Sequence, residues 1–116
     1  MSSQNCIFCS IVEGRVPSTR VYEDENSVAF NDLEPQAPTH ILIVPRKHID
    51  SLDKASDADE QLLGNLLLTA AEIAREKGFS EYGYRVVINT NADGGQTVFH
   101  LHVHLLAGRP FIFPPG

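Results

Sequence analysis

One stretch of the chain decides the fold: Phe99-His100-Leu101-His102-Val103-His104-Leu105-Leu106. Histidines and apolar residues alternate along it, and in a β-strand successive side chains point to opposite faces of the sheet. The alternation predicts a strand over residues 99–106, with the three histidines on one face and the apolar side chains, Phe99 included, in the core. Three of the five histidines in the chain share this face, which indicates a chemical role.

Four further strands and two helices are predicted around this stretch. We expect a hairpin formed by residues 20–23 and 27–32, strands over 39–45 and 85–89, and a polar loop over 90–97. A short helix is expected over residues 6–14. A long helix begins after a Ser56 N-cap with Asp59 as its capping-box partner and ends near Gly78, because apolar residues between them recur every three or four positions.

Short connections favour antiparallel pairing, so these elements predict an α+β fold. It consists of an antiparallel β-sheet with one long helix on one face and a short N-terminal helix. A chain of 116 residues is long enough for one hydrophobic core but not two, so residues 1–116 are expected to form a single domain.

The composition limits the classes of partner that the chain is expected to bind. The net charge of −6 argues against a nucleic-acid partner, because phosphate backbones need an exposed basic surface. A small nucleotide is still allowed, since a few donors hold one phosphate. Residues 1–5 are polar with no apolar segment after them, and no run approaches a membrane span. We therefore expect a cytoplasmic protein without a membrane partner.

A loop just before the histidines favours phosphorus chemistry. It contains Gly94-Gly95-Gln96-Thr97, where adjacent glycines let backbone N–H groups turn toward an anion and the next two side chains add neutral donors. A neutral imidazole suits attack on a phosphate because it is nucleophilic near neutral pH and carries no charge to repel the phosphate. A His-x-His pair on a strand also suits a catalytic zinc, so the residues alone leave both chemistries open.

Several segments, in chain order, resemble the Hint branch of the histidine-triad (HIT) superfamily. They are residues 32–40, Asn89, residues 94–97, the His-φ-His-φ-His-φ-φ pattern of residues 100–106 (φ, apolar) and the terminal Pro114-Pro115-Gly116. The similarity extends from Cys6 to the C-terminus. It implies a HIT-like fold, a homodimer, and hydrolysis of purine nucleoside phosphoramidates to nucleoside monophosphates. Phe113 stands where similar proteins often have tryptophan, which bears on the preferred leaving group.

The same resemblance implies a nucleotidyl-histidine mechanism. His102 would attack the α-phosphorus, and His104 would contact the phosphate or help to protonate the leaving amine. Asp32 would accept hydrogen bonds from the ribose hydroxyls, as a carboxylate does. The other expected nucleotide contacts are Phe8, Phe30 and Leu33 around the base, and Asn89, Gly95, Gln96 and Thr97 around the phosphate. For the two phenylalanines, packing in the core is an equally good interpretation.

Cys6-Ile7-Phe8-Cys9 is a motif that many Hint proteins lack. One Cys-x-x-Cys supplies half of a four-ligand zinc site, so the other half must be histidine. Similar metal-bearing enzymes of the superfamily use a loop histidine and the first triad histidine. We therefore predict one structural Zn²⁺ per chain, held by Cys6, Cys9, His48 and His100. His40 is expected to be a buried, hydrogen-bonded histidine.

Three other functions remain open from the sequence. A metallohydrolase would place the three strand histidines on a catalytic metal. A regulatory module would bind nucleotides in the same pocket, with incidental hydrolysis. A zinc-dependent interaction module would need neither residues 94–97 nor Asp32.

Overall fold

Five strands form one antiparallel sheet in the computed structural model, which describes residues 5–116. They are β1 (Arg20–Glu23), β2 (Ser27–Asn31), β3 (Thr39–Pro45), β4 (Arg85–Val87) and β5 (Val103–Ala107). Their spatial order is β1-β2-β3-β5-β4, and each neighbouring pair runs antiparallel. The predicted antiparallel sheet is confirmed.

Helices cover both faces of this sheet. The long helix α2 (Glu60–Glu76) packs over Ala29, Ile41 and Ile43 of the central strands. The short helix α1 (Ile7–Val12) packs over alternate residues of the same strands, among them Phe30 and Leu42. Because successive side chains of a strand point to opposite faces, β2 and β3 each contribute to two apolar clusters. The predicted α+β class is confirmed.

The predicted start of the long helix needs one adjustment. Ser56 forms the expected capping box with Asp59, but it caps a single 3₁₀ turn (Asp57–Asp59), and α2 begins at the next residue. The helix ends as predicted, with Lys77 at its C-cap and Gly78 at a φ of 85°. A third helix, α3 (Asn91–Gly94), lies within the predicted polar loop.

The histidine stretch is only partly a paired strand, because β5 begins at Val103. Val103 pairs with Ile43, so residues before Val103 would have to pair with the last residues of β3. β3 ends at Pro45, which has no N–H to donate to a neighbouring strand. The chain turns instead toward the following loop, where the Leu101 N–H donates to the Ile49 carbonyl at 2.7 Å. The prediction that Phe99 lies in the core is wrong, since its side chain is 48% exposed.

The other predicted boundaries shift by one or two residues. β2 ends one residue before the predicted Asp32, and β4 ends at Val87 rather than residue 89. Over residues 5–116, no helix has both the length and the apolar character needed to cross a membrane.

Candidate functional site

A cavity of about 740 Å³ opens between α1 and the sheet. The predicted nucleotide-site residues that line it are Phe8, Phe30, Asp32, Leu33, Gly95, Thr97, His102 and His104. Asn89 and Gln96 are not among the lining residues, whereas His40 is. The fold thus brings most of the predicted site to one place from four separate segments of the chain.

His102 presents one unprotonated nitrogen to this cavity. Its Nδ1 lies 2.7 Å from the carbonyl oxygen of His100. A carbonyl only accepts hydrogen bonds, so Nδ1 carries the proton and Nε2 keeps its lone pair. Burial lowers the pKa of His102 below its usual value of 6.5, which keeps the ring neutral at pH 7. His102 therefore has the protonation state of a nucleophile.

His104 has the opposite arrangement. The Gln36 N–H donates to His40 Nδ1 at 3.0 Å, so His40 carries its proton on Nε2. That Nε2 lies 2.9 Å from His104 Nδ1, which must accept. His104 then holds its proton on Nε2, a buried atom without a hydrogen-bond partner among the described residues. Burial, with the neighbouring His102 and His40, lowers the pKa of His104 to about 4, so the ring is a neutral donor.

His40 is a member of this site that the sequence prediction missed. It is buried and hydrogen-bonded as expected, but it also lines the cavity and fixes the tautomer of His104. A signal for this role was present in the sequence. Its alternation with Leu42 puts His40 on the same face of the sheet, and Leu42 pairs with His104.

The apolar part of the cavity is built from side chains that also belong to the core. Phe8 and Phe30 meet edge to face, with ring centroids 5.6 Å apart, and both are buried in the cluster beneath α1. Phe8 also lies 5.0 Å from the His102 ring. Leu33, by contrast, is 95% exposed at the cavity mouth. The two interpretations offered for the phenylalanines, core packing and cavity lining, therefore hold together.

Asp32 lies at the polar end of the cavity. One carboxylate oxygen, Oδ1, accepts the Glu34 N–H at 2.9 Å, and Oδ2 lies 3.4 Å from His40 Nε2. The residue is partly exposed, so Oδ2 remains open to a further donor. This geometry suits the predicted contact with ribose hydroxyls, which stays a prediction.

Gln96 is placed differently from the expectation. Its side chain is buried, and its amide bonds to the backbone of residues 50, 91 and 98. This placement does not support the predicted contact between Gln96 and a phosphate oxygen. Its neighbours Gly95 and Thr97 do line the cavity, while the predicted role of Asn89 stays a prediction.

Two cysteines and two histidines converge at the N-terminal end of α1, where Cys6 is the N-cap. The ligand atoms of Cys6, Cys9, His48 and His100 all lie within 4.8 Å of one another. His100 Nδ1 is 3.3 Å from Cys6 Sγ, and His48 Nδ1 is 3.2 Å from Cys9 Sγ. Such separations match those between neighbouring ligands of one tetrahedral ion. These four residues could therefore hold a metal.

The tautomers of both histidines fit metal binding. His100 Nε2 lies 2.8 Å from the Pro45 carbonyl oxygen, and His48 Nε2 lies 2.7 Å from a carboxylate oxygen of Asp50. Both partners accept, so each Nδ1 keeps a lone pair directed at the thiols. Acceptors that bind the other ring nitrogen in this way orient metal-bound histidines. Burial and the adjacent Cys6 raise the pKa of Cys9 to about 11, and a cation bound there would stabilise its thiolate.

The side chains of the three histidines in residues 100–104 thus face two different sites. The His100 side chain faces the thiols, whereas those of His102 and His104 face the cavity. This arrangement does not support a catalytic metal held by all three. A second group of possible ligands consists of Asp32, His40 and His104, and the hydrogen bond between its two histidines accounts for their closeness.

Known proteins are similar to this chain in both sequence and fold. Residues 13–111 match the HIT domain family. The chain is 47% identical over 108 residues to the purine nucleoside phosphoramidase of Escherichia coli strain K12, covering 93% of this chain and 91% of that protein. A HIT family hydrolase from Legionella pneumophila is 52% identical with a TM-score of 0.95, covering 97% and 100% of the two chains. A zinc-bound histidine triad family protein from Mycobacterium smegmatis is 34% identical with a TM-score of 0.79, covering 93% and 78%.

Proposed function

The chain belongs to the HIT domain family, and we propose that it hydrolyses the phosphorus–nitrogen bond of purine nucleoside phosphoramidates through an intermediate on His102. The name of its Escherichia coli relative gives the substrate class. The observation that carries the proposal is the hydrogen bond from His102 Nδ1 to the His100 carbonyl, which leaves Nε2 free as the nucleophile in the cavity.

The first step joins the nucleotide to the protein. His102 Nε2 forms a bond to the α-phosphorus while the bond from phosphorus to the amine breaks, and the amine leaves after taking a proton supplied through the solvent. The Nε2–H of His104 donates to a phosphoryl oxygen or to the leaving nitrogen. Such a donor stabilises charge that develops during the reaction.

The second step releases the nucleotide. Water attacks the same phosphorus, the bond to His102 Nε2 breaks, and the proton of the water returns to the solvent. The net reaction consumes one water and yields a purine nucleoside monophosphate and a free amine. Gly95, Thr97 and Asp32 all line the cavity, which supports the proposed contacts of the first two with the phosphate and of Asp32 with the ribose.

The metal in this proposal is one structural zinc on Cys6, Cys9, His48 and His100. Two sulfur and two nitrogen ligands suit zinc, and the Mycobacterium smegmatis neighbour is zinc-bound. When bound, it would fix the position of α1 against the residues before β5. Four protein ligands close the site, so it offers no open position for chemistry.

The remaining partners follow the same reasoning. We propose a homodimer, supported by the edge of β4, which among residues 5–116 forms ladder hydrogen bonds with β5 alone. We also propose a cytoplasmic location and no nucleic-acid partner, supported by two free cysteines and the net charge of −6. Sedimentation equilibrium tests the dimer.

Release of amine from an adenosine 5′-phosphoramidate tests the activity itself. The proposal predicts stoichiometric amine and adenosine monophosphate (AMP) over many turnovers. Tight AMP binding without amine release would instead identify a nucleotide-binding regulatory module. Turnover that requires a metal outside the Cys/His cluster would identify a metallohydrolase.

A further inference from the structure

We propose that Gln96 is a positioning residue that fixes the phosphate loop (residues 91–97) to the metal loop (residues 48–50), and that it does not bind the phosphate itself. The inference rests on the proposed function for the identity of the phosphate loop. It concerns a residue whose neighbours on both sides face the nucleotide cavity.

Every hydrogen-bonding atom of the Gln96 amide group is already used. Nε2 donates its two protons to the carbonyl oxygens of Asp50 at 2.8 Å and Val98 at 3.1 Å. Oε1 accepts the Asn91 N–H at 2.8 Å. The residue is only 5% exposed, so a phosphate oxygen could gain a bond from this amide only by breaking one of these.

The backbone of the phosphate loop explains why such a clamp is needed. Asn91 has a φ of 61°, in the left-handed region that non-glycine residues adopt at a cost. Gly95 closes α3 with a φ of 90°. Gln96 holds the two ends of this turn together, since its own N–H donates to the Asn91 carbonyl at 3.0 Å while its side chain accepts from the Asn91 N–H. The paired bonds stabilise the unusual conformation.

The other end of the Gln96 amide reaches the metal loop. The carbonyl of Asp50 receives the Gln96 bond, and the carboxylate of Asp50 holds His48 Nε2, which directs His48 Nδ1 to the thiols. Leu101 N–H donates to the Ile49 carbonyl beside it. Two bonds thus join the metal loop to the segments that carry Gly95, Thr97 and the nucleophile.

The consequence is a mechanical link between the metal cluster and the nucleotide cavity. A change at Gln96 should loosen both the position of His48 and the loop that faces the phosphate, although the Gln96 amide bonds to backbone atoms of other residues and does not line the cavity. A direct phosphate ligand would affect nucleotide binding alone.

The test uses the zinc-loaded full chain and three measurements. They are the rate of zinc transfer to a chelator, the dissociation constant of AMP by calorimetry, and hydrogen exchange of the 91–96 amides. Gln96→Met removes all three side-chain bonds without adding charge, and Gln96→Glu keeps an acceptor for the Asn91 N–H but loses both donated bonds. Thr97→Val removes a cavity hydroxyl and leaves the clamp intact. Ile73→Val lowers global stability at a distant core site.

We expect both Gln96 variants to release zinc roughly tenfold faster, as for other losses around a metal ligand. Gln96→Met should also weaken AMP binding about tenfold and lose protection at the 91–96 amides, while Gln96→Glu should retain more of that protection. Thr97→Val should weaken AMP binding with zinc release unchanged, and Ile73→Val should change neither.

Two results would overturn the inference. One is weaker AMP binding by Gln96→Met with zinc release and exchange at parental values, which would make Gln96 a direct phosphate ligand. The other is a set of changes that Ile73→Val reproduces, which would reduce Gln96 to a general contribution to stability. If the parent failed to bind AMP, the proposed function would be contradicted, and zinc release and exchange would still decide the link.

Discussion

His100 contacts His102, the proposed nucleophile, through its carbonyl, and the Cys/His cluster through its imidazole. Its oxygen lies 2.7 Å from His102 Nδ1, while its own Nδ1 lies 3.3 Å from Cys6 Sγ. A single residue thus fixes the tautomer of His102 and contributes to the cluster that holds α1. The helix α1 in turn carries Phe8, whose ring centroid lies 5.0 Å from that of His102. The proposed nucleophile is therefore positioned by His100 and by α1, both of which also supply predicted zinc ligands.

Replacing the proposed nucleophile should greatly reduce turnover and spare binding. In His102→Ala the covalent route is lost, so we expect kcat to fall by roughly four or more orders of magnitude. AMP should bind about as well as to the parent, because the ribose and phosphate contacts remain. His104→Ala, which removes a donor but no nucleophile, is the matched control and should lose less. Near-normal turnover of His102→Ala in a steady-state assay would contradict this role.

Removing a thiol should release the metal. Cys6→Ser should lower zinc content below one per chain and reduce the melting temperature, because structural zinc contributes directly to folding stability. Ser10→Ala, a buried change in the same helix that removes no predicted ligand, should keep the zinc. Metal analysis and calorimetric melting measure both effects. A metal-free parent with two freely titratable thiols would rule out the site.

Discrimination between ribose and deoxyribose should depend on Asp32. Losing a hydrogen bond to a charged acceptor costs about 1.5–3 kcal/mol, so the parent should favour the ribonucleotide substrate in kcat/KM by roughly ten- to a hundredfold. Asp32→Ala should erase most of that preference. Glu34→Gln, an acidic neighbour at the same cavity, should retain it. Equal kcat/KM values for the two substrates in the parent would count against the assigned contact.

Acid should lower the free energy of unfolding over a defined pH range. Burial lowers the pKa of His104 from 6.5 to about 4, so between these values the unfolded chain binds more protons than the folded one. Stability from this group is therefore fully present above pH 6.5 and is lost as the pH falls toward 4. Denaturant unfolding at several pH values should show the decline, and His104→Asn should make it shallower. A His104 variant with the parental slope would contradict the assignment.

The sequence predicts the architecture well because the spacing of apolar residues indicates which segments are strands and which are helices. The alternation up to residue 106 and the three- and four-residue spacing before Gly78 follow directly from strand and helix geometry, and the β-branched residues within 39–45 indicate a strand. It predicts Phe99 wrongly because the local pattern carries no information about where the neighbouring strand ends. Pro45 stops the ladder, and the chain leaves the sheet before Phe99 can be covered.

The candidate site also has a part that the sequence predicts and a part that only the structure shows. Residue types and order indicate the histidines, the cysteines and Asp32, because their chemistry is visible in a sequence. The coupling of His40 to His104 and the inward turn of the Gln96 amide depend on contacts between distant segments. For Gln96 the residue type suggests a ligand, and only its three backbone partners reveal a clamp.

The intermediate on His102 is the central claim, and intact-protein mass spectrometry after rapid mixing with an adenosine 5′-phosphoramidate tests it most directly. We predict a transient mass increase of one adenylyl group per chain, stable in alkali, labile in acid, mapping to His102 and absent from His102→Ala. Release of amine without any adduct, or an adduct on another residue, would contradict the mechanism.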